Sequence, residues 1–141
     1  LRVIVCDDSV TNSKILSKIL QRRKYDVTTF YDGKYAVQDV ALKDLMYYDV
    51  IYLDNIMPIL NGRETCQKLR EMGFSNLIVG ITGSALQEDL NEFMNAGLDA
   101  VLTKPLELKN ISIIEDYIKN NLNTTIDRIK LQDYINTCSK K

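Results

Sequence analysis

The chain has 141 residues, of which 45% are hydrophobic, and a formal net charge of −1. This length and composition are typical of one domain with a core of its own, and the small charge excludes a general attraction to nucleic acid or to anionic membranes. The sequence contains no histidine, which excludes Ser-His-Asp triads, imidazole bases and histidine metal sites within this chain.

Hydrophobic periodicity predicts five repeats of a strand followed by a helix. The predicted strands are RVIVC (2–6), VTTFY (27–31), VIYL (50–53), LIVGI (77–81) and AVL (100–102). The predicted helices run over 10–22, from the Asp32-Gly33 turn to Leu42, from Asn61-Gly62 to Gly73, over 86–96 and over about 108–121. Because parallel strands need crossover helices between them, this alternation predicts one parallel sheet covered by helices on both faces.

The segment 123–141 follows this domain, which spans 1–122, as a C-terminal extension. Thr124 or Thr125 is the candidate cap of a short additional helix. The apolar residues at helical spacing after this cap are Ile126, Ile129 and Tyr134. A short tail helix or a frayed end is the expected structure, and no function is predicted for it.

Polar side chains follow four of the five predicted strands. These residues are Asp7, Asp8, Asp54, Thr82 and Lys104. An Asp or Thr after a strand is often only the cap of the next helix, and a lone lysine is usually a solvated surface residue. Because ligands of open parallel sheets bind outside the carboxyl ends of the strands, the whole set predicts one crevice with three carboxylates, a hydroxyl and an ammonium.

Three neighbouring carboxylates repel one another unless a proton or a cation neutralises them. Mg²⁺ suits such a site because it binds carboxylates together with water and phosphoryl oxygens. The crevice would offer neither an imidazole nor a reactive thiol, so the expected nucleophile is a carboxylate, which forms an acyl phosphate. Asp54, at the end of the central strand, is the best-placed nucleophile for a metal-assisted phosphoryl transfer.

Four motifs, in this order, resemble the receiver domain of two-component response regulators. They are IVCDDS (4–9), LDNIMPILNG (53–62), ITGS (81–84) and LTKP (102–105). The resemblance covers residues 1 to about 122. It implies a flavodoxin-like, doubly wound five-stranded parallel sheet of order 2-1-3-4-5 with five helices. It also implies a phosphoacceptor signalling domain that assists its own phosphorylation, rather than an enzyme.

The resemblance assigns three residues to the phosphoryl group itself. Asp54 matches the phosphoacceptor, which takes the group from a phosphohistidine on a separate protein. Thr82 matches the switch hydroxyl that turns toward the phosphoryl group, and Lys104 matches the cation that binds one of its oxygens. The Lys-Pro peptide bond is typically cis in that family, although cis bonds are only about 5–6% of X-Pro bonds in folded proteins.

The resemblance also implies a Mg²⁺ site, in which Mn²⁺ can substitute for Mg²⁺. Asp8 matches the direct ligand, and Asp7 matches the acidic partner that holds metal-bound water. Asp54 and the backbone carbonyl of Ile56 complete the protein ligands that this match implies.

The pairing of DDSVTN (7–12) with LTKPLE (102–107) looks like the C-terminal receivers of hybrid histidine kinases. The start on Leu1 agrees with a piece of a longer protein. The implied partners are a histidine kinase, a histidine phosphotransfer protein or both, with the domain itself a monomer or weak dimer. A stand-alone receiver is the near alternative.

Cysteine usage and hydropathy bear on the location of the domain. Cys6, Cys66 and Cys138 fit neither a disulfide framework nor a zinc site, which favours a reducing interior. No apolar run approaches the roughly 20 residues that a membrane span needs. We therefore expect a cytoplasmic domain without membrane contact of its own, although a longer parent chain could carry an anchor.

Two positions depart from the receiver pattern. Val101 stands three residues before the lysine, where receivers that signal through their fourth-helix and fifth-strand face usually carry Tyr or Phe. Valine can simply pack the core there, but it is too small and stiff to supply a ring that swings inward. We hypothesise that the output surface lies elsewhere, around the first helix.

Ile56 is the second departure. Its branched apolar side chain would hinder the hydrolytic water, so we expect a moderately long-lived aspartyl phosphate.

Two other functions are weighed against a phosphoaccepting receiver. A haloacid-dehalogenase-like phosphatase also combines an Asp nucleophile with Mg²⁺, but it begins with an Asp-x-Asp motif, whereas here the acidic pair comes first and Asn55-Ile56 follows Asp54. A degenerate receiver that acts only as an interaction module usually lacks one of the acidic pair, the acceptor or the lysine. This sequence keeps all of them.

Overall fold

The structure is a computed structural model, and it describes residues 1–120, 131–132 and 135–136. Five strands and five helices alternate along residues 1–120, which confirms the predicted series. In chain order they are β1 (Arg2–Cys6), α1 (Val10–Arg22), β2 (Asp26–Phe30), α2 (Gly33–Leu42), β3 (Val50–Asp54), α3 (Gly62–Glu71), β4 (Leu77–Thr82), α4 (Gln87–Asn95), β5 (Ala100–Thr103) and α5 (Leu108–Asn120).

The strands form one parallel sheet of order β2-β1-β3-β4-β5, which confirms the predicted topology. Its register aligns the carboxyl ends of the strands: Cys6 lies opposite Leu53, and Asp54 lies opposite Ile81. The residues directly after β1 therefore meet the last residues of β3 and β4 at one edge of the sheet. This alignment creates the expected crevice.

Buried apolar side chains form two layers, one on each face of the sheet. The first layer joins the sheet to α1 and α5, and the second joins it to α2, α3 and α4. Strands β1, β3 and β4 are buried almost throughout, as their continuous apolar sequences predict. Strand β2 is at most half-buried, because it forms one edge of the sheet.

Two helices that flank the crevice begin at side-chain caps. Ser9 accepts a hydrogen bond from the Asn12 backbone N–H at 3.3 Å, which fixes the start of α1 directly after the acidic pair. Asn61 and Glu64 form a capping box at the start of α3, with bonds of 2.9 and 3.2 Å. These caps set where the loops after β1 and β3 must end, so they limit the conformations open to the site residues.

The predicted tail helix can be compared with the structure at only four positions. Ile126, Ile129, Tyr134 and the candidate caps Thr124 and Thr125 lie outside the described residues. Positions 131–132 and 135–136 are helical, and Leu131 and Ile135 belong to the first core layer.

Two of the three cysteines, and all the helices of residues 1–120, lie within the described part of the chain. Cys6 and Cys66 are buried, and Cys138 lies outside the described residues. Within the part of the chain that the structure describes, no helix is long and apolar enough to cross a membrane.

Candidate functional site

Three carboxylates meet at the carboxyl end of the sheet, in what we call the acidic crevice. Asp7 and Asp8 follow β1, and Asp54 is the last residue of β3. One carboxylate oxygen of each residue lies within 4.8 Å of the others. Asp7 and Asp54 are only 7% and 6% exposed, whereas Asp8 faces solvent. The structure thus brings together the three acidic residues that the sequence predicted as a group.

Lys104 reaches this crevice from the loop after β5. Its Nζ lies 3.0 Å from Asp54 Oδ1 and 3.9 Å from Asp7 Oδ2. Its backbone N–H donates to the Thr82 carbonyl at 2.8 Å, so the loop stays attached to the end of β4. The Lys104-Pro105 peptide bond is cis, as the resemblance implied. The lysine is therefore an ion-pair partner of the central carboxylate, and part of its side chain stays exposed to solvent.

The charges of the crevice favour a divalent cation. Burial raises the pKa of Asp7, the hydrogen bond from the Ser9 backbone N–H (2.9 Å) opposes this rise, and the nearby Asp54 carboxylate adds to it. Lys104 offers one positive charge against three carboxylates, which leaves an excess of negative charge. Hard oxygen ligands with two uncompensated charges match the chemistry of Mg²⁺. The donor set therefore fits the predicted metal.

The structure also removes a competing nucleophile from consideration. The Cys6 thiol, at the end of β1, is only 1% exposed. Its burial raises the pKa of the thiol far above its usual range, and the Asp32, Asp7 and Asp54 carboxylates raise it further. Because the thiolate is the reactive form, Cys6 is inert at neutral pH.

Thr82 ends β4 beside the acidic crevice and is 5% exposed. Its Oγ1 accepts a hydrogen bond from the Ser84 backbone N–H at 3.1 Å. A cavity of about 250 Å³ opens over this hydroxyl, and Ile56 lines it with a side chain that is 77% exposed. Thr82 is thus placed as the sequence predicted, whereas the metal-binding role of the Ile56 carbonyl stays a prediction.

A polar chain that the sequence did not reveal connects Thr82 to α4. The Ser84 backbone contacts the Thr82 hydroxyl, and the Ser84 Oγ donates to Asp89 Oδ2 in the first turn of α4 at 2.6 Å. Any reorientation of the Thr82 hydroxyl must therefore break or shift a bond to the loop that leads into α4. The Ser-x-x-x-x-Asp spacing was the available signal, but it is common in loops.

Asp32 supports the loop that follows β3, although the sequence around Asp32 indicated only a turn. It is 3% exposed, and its carboxylate accepts backbone N–H bonds from Lys34 (2.9 Å), Ile59 (2.9 Å) and Leu60 (3.0 Å). Two of these donors belong to the loop between β3 and α3, which also contains Ile56. Asp32 therefore fixes that loop from the neighbouring β2–α2 turn.

Replacing Asp32 with alanine is expected to lower the free energy of unfolding by about 2 kcal/mol, because it leaves buried backbone donors without an acceptor. Asp32→Asn keeps one acceptor oxygen and should lose less stability. Asp44→Ala is the matched control, since the carboxylate of exposed Asp44 also accepts a backbone N–H, that of Met46. Urea denaturation measures all three variants, and equal midpoints for Asp32→Ala and Asp44→Ala would contradict the assignment.

Gly62 allows α3 to start close to the end of β3. A Cβ atom built at this glycine would lie 2.4 Å from the Asp54 carbonyl oxygen and 2.8 Å from the Asn55 Cα. The Gly62 N–H donates to the Asn55 carbonyl at 2.8 Å. Any larger residue at this position would push β3 and α3 apart.

An apolar groove borders the acidic crevice on the side of α1. Its volume is about 520 Å³, and it runs from Asp7 and Lys104 along Ile15, Ile19 and Leu106. Ile15 is 56% exposed, although α1 is otherwise anchored to the core by residues such as Leu20. A charged site that continues into an exposed apolar surface is suited to a protein partner that delivers a group to the site.

Comparison with known proteins identifies relatives that carry the same kind of domain. The chain is 42% identical to two-component response regulator 24 of Arabidopsis thaliana over 113 residues, which cover 79% of this chain and 78% of that protein. Histidine kinases are also among the curated relatives, and the chain spans only 8% to 14% of their length.

Solved structures give the same result. One match is the receiver domain of the sensor histidine kinase PA1611 from Pseudomonas aeruginosa, with a TM-score of 0.74 and 27% identity. The match covers 82% of this chain and 94% of that chain. That structure was solved with a magnesium ion coordinated in the active site cleft. The co-crystal of the Saccharomyces cerevisiae histidine phosphotransfer signaling protein Ypd1 with the receiver domain of Ssk1 matches with a TM-score of 0.73 and 25% identity, covering 81% of this chain and 85% of that chain.

A family model matches most of the chain. The family model of the response regulator receiver domain matches residues 3–114, which include the acidic crevice, Thr82 and Lys104. Together with the five-stranded sheet of order β2-β1-β3-β4-β5, this match shows that the chain belongs to the response regulator receiver domain family.

Proposed function

We propose that Asp54 of this receiver domain accepts a phosphoryl group from a phosphohistidine on a partner protein. The observation that carries the proposal is the position of the Lys104 Nζ, 3.0 Å from Asp54 Oδ1, within a cluster of three carboxylates. The chain has no histidine of its own, so the donor must lie on another protein or protein segment.

In this reaction the Asp54 carboxylate attacks phosphorus and forms an acyl phosphate. The phosphorus–nitrogen bond of the partner phosphohistidine breaks, and the electron pair stays on the imidazole, which takes up a proton. Lys104 already contacts the attacking carboxylate and can transfer that contact to a phosphoryl oxygen as negative charge moves onto the group. Thr82, at the end of the adjacent strand, would donate its hydroxyl to another phosphoryl oxygen.

Asp7, Asp8, Asp54 and the Ile56 carbonyl would hold Mg²⁺, or Mn²⁺ in its place. When bound, the cation supplies neutralisation of the phosphoryl oxygens, which carry most of the charge in phosphoryl transfer. The close approach of the three carboxylates supports this assignment. It also explains why buried Asp7, whose pKa is raised, would remain ionised in the metal-bound domain.

We infer that the partner is a histidine kinase, a histidine phosphotransfer protein or both, and that it docks on the groove beside α1. The groove begins at Asp7 and Lys104 and continues along the exposed Ile15. A helix that presents a histidine could place its apolar side chains there while the imidazole reaches Asp54.

The kinase relatives and the DDSVTN (7–12) and LTKPLE (102–107) motifs support an origin within a hybrid histidine kinase. The wide spacing of the three cysteines, which fits no disulfide framework, supports a cytoplasmic location.

A phosphatase and an inert interaction module are the competing functions. Incubation with acetyl phosphate and Mg²⁺, followed by intact mass spectrometry, separates all three. We expect each chain to gain one phosphoryl group, to lose it in hydroxylamine as an acyl phosphate does, and to gain none when EDTA replaces Mg²⁺. Repeated turnover of a phosphate ester would support the phosphatase. An unchanged mass in saturating Mg²⁺ would support the inert module.

Replacing Ile56 with asparagine is expected to shorten the lifetime of the aspartyl phosphate several-fold. The exposed Ile56 side chain lines the cavity over Thr82, where it obstructs the approach of water. An amide at this position would instead bind and orient water. The measurement is the decay of the phosphorylated mass after the phosphodonor is removed.

Ile59→Asn is the matched control for this prediction. Ile59 lies in the same loop and is 55% exposed, but it does not line that cavity. We expect this variant to decay like the wild type. Equal decay rates in Ile56→Asn and the wild type would show that the isoleucine does not restrict water.

A further inference from the structure

Strand β5 ends the sheet, so one side of its backbone has no neighbouring strand. Such an edge readily pairs with another chain, and proteins usually block it with charge, a bulge or a covering segment. Here β5 carries the sequence AVLT (100–103), which has no charged residue to discourage pairing. Without a cover, this edge would therefore be open to pairing with another chain.

Four described residues of the C-terminal segment lie against this edge: Leu131, Gln132, Ile135 and Asn136, which we call the β5 cover. The Gln132 Oε1 accepts a hydrogen bond from the Val101 backbone N–H at 2.8 Å. This N–H lies on the open side of β5, where a sixth strand would supply a carbonyl. The side chain of Gln132 therefore takes the place of a strand at this position.

Apolar packing holds the cover beside the edge. Leu131 and Ile135 are 0% and 3% exposed and belong to the same core layer as Leu102. Gln132 and Asn136 lie one turn apart, and the Gln132 Nε2 donates to the Asn136 Oδ1 at 3.2 Å, which orients the amide that faces Val101. Burial of two branched apolar side chains stabilises this contact by more than the hydrogen bond does.

We propose that the β5 cover is a built-in occupant of this sheet edge, and that it prevents β5 from pairing with the β5 strand of a second copy. The occupant fits because it supplies both the acceptor for Val101 and the apolar residues that close the core beside Leu102. When the cover is released, the exposed edge is complementary to itself, since two parallel-sheet edges can join along β5.

The cover is separate from the acidic crevice. The cavity beside it, of about 530 Å³, is lined by residues of α4, β5, α5 and the cover, including Gln87, Val101 and Gln132. It shares no lining residue with the groove beside α1. The inference is thus independent of phosphoryl transfer, and variants of the cover leave every proposed site residue intact.

Two substitutions of Gln132 isolate the hydrogen bond. Gln132→Met keeps the length of the side chain without an acceptor, whereas Gln132→Glu keeps an oxygen opposite the Val101 N–H. Amide-resolved hydrogen exchange by NMR is expected to show Val101 exchanging about two- to tenfold faster in Gln132→Met. Gln132→Glu should protect Val101 at least as well as the wild type. Equal Val101 exchange in all three full-length proteins would overturn the contact.

Release of the cover tests the consequence for association. In Leu131→Ser combined with Ile135→Ser, sedimentation equilibrium should detect a concentration-dependent dimer, whereas the wild type should remain a monomer. The amide of Ile4, in a central strand, reports whether this variant stays folded. A folded double variant that remains monomeric, or a wild type that dimerises through β5, would overturn the proposal. If the double variant unfolds, Leu131→Ala alone, which removes less of the apolar packing, is tested in the same sedimentation experiment and judged by the same two outcomes.

Discussion

Replacing Asp54 with asparagine is expected to abolish phosphoryl incorporation from acetyl phosphate. The amide has nearly the same shape as the carboxylate but lacks the anionic oxygen that attacks phosphorus. The neighbouring Cys6 is no substitute, because its thiol is buried and this burial raises the pKa of the thiol. Intact mass spectrometry after incubation with Mg²⁺ and acetyl phosphate measures this loss directly.

Asp8→Asn is the informative comparison, because it changes the charge of the same cluster at its exposed member. This variant retains the acceptor, so we expect labelling to remain possible but to require a higher Mg²⁺ concentration. Asp54→Asn should show no labelling at any Mg²⁺ concentration. If Asp54→Asn were labelled to the same extent as the wild type, the acceptor would lie elsewhere and the assignment would be wrong. Loss of labelling in both variants at saturating Mg²⁺ would indicate that Asp8 does more than hold the cation.

Asp54→Asn should also leave the domain folded. The substitution removes one of three mutually repelling carboxylates, and Lys104 still lies 3.9 Å from Asp7 Oδ2. Loss of the repulsion offsets loss of the Lys104–Asp54 ion pair, so we expect a change in unfolding free energy of less than about 1 kcal/mol. A cooperative urea transition near that of the wild type would show that the missing phosphorylation does not arise from misfolding.

The ends of the predicted strands were sufficient to predict the acidic crevice, because of the geometry of parallel sheets, whereas the strand order was implied by the resemblance to receiver domains. Asp7, Asp54 and Lys104 follow continuous apolar runs, and the carboxyl ends of such runs must lie together once the strands are parallel and in register. The position of each functional residue therefore followed from the end of its strand. No knowledge of side-chain packing was needed.

Residues that act through loops could not be predicted in the same way. Asp32 was interpreted as part of a turn, because nothing in Tyr31-Asp32-Gly33 indicates that its carboxylate accepts bonds from Ile59 and Leu60. Gln132 lies 31 residues from Val101, and no local pattern links a glutamine in a polar tail to the edge of a sheet. Such contacts depend on how separate elements pack, which periodicity does not encode.

Arg70 shows the same limit inside the core. Arg70 lies in the last turn of α3, a position where the helix dipole alone can account for a cation. In the structure its guanidinium instead donates to the carbonyls of Phe74 (2.9 Å), Asn76 (2.8 Å) and Gly97 (2.9 Å), and its Nη2 lies 2.7 Å from Asp99 Oδ2. Arg70 thus connects the end of α3 to the segments that lead into β4 and β5.

Replacing Arg70 with methionine is expected to lower the free energy of unfolding by about 3 kcal/mol, because it removes the guanidinium that pairs with the buried Asp99 carboxylate and leaves that charge with neutral donors such as the Ile78 N–H. The side chains of Arg70 and Asp99 are only 14% and 5% exposed, so water cannot replace the guanidinium. Methionine keeps the apolar stem, which limits the loss of packing. The measurement is the urea midpoint of the full-length variant, converted with an unchanged slope.

Arg63→Met on the same helix is the matched control. Its ion pair with Glu92 has a similar length, 2.9 Å, but these side chains are 44% and 63% exposed. Exposed pairs contribute about 0–1 kcal/mol, so this variant should unfold close to the wild type. Equal destabilisation by the two substitutions would mean that burial does not set the value of the Arg70–Asp99 pair. A large effect of Arg70→Met alone would show that the contacts of this side chain at the amino ends of β4 and β5 stabilise the fold.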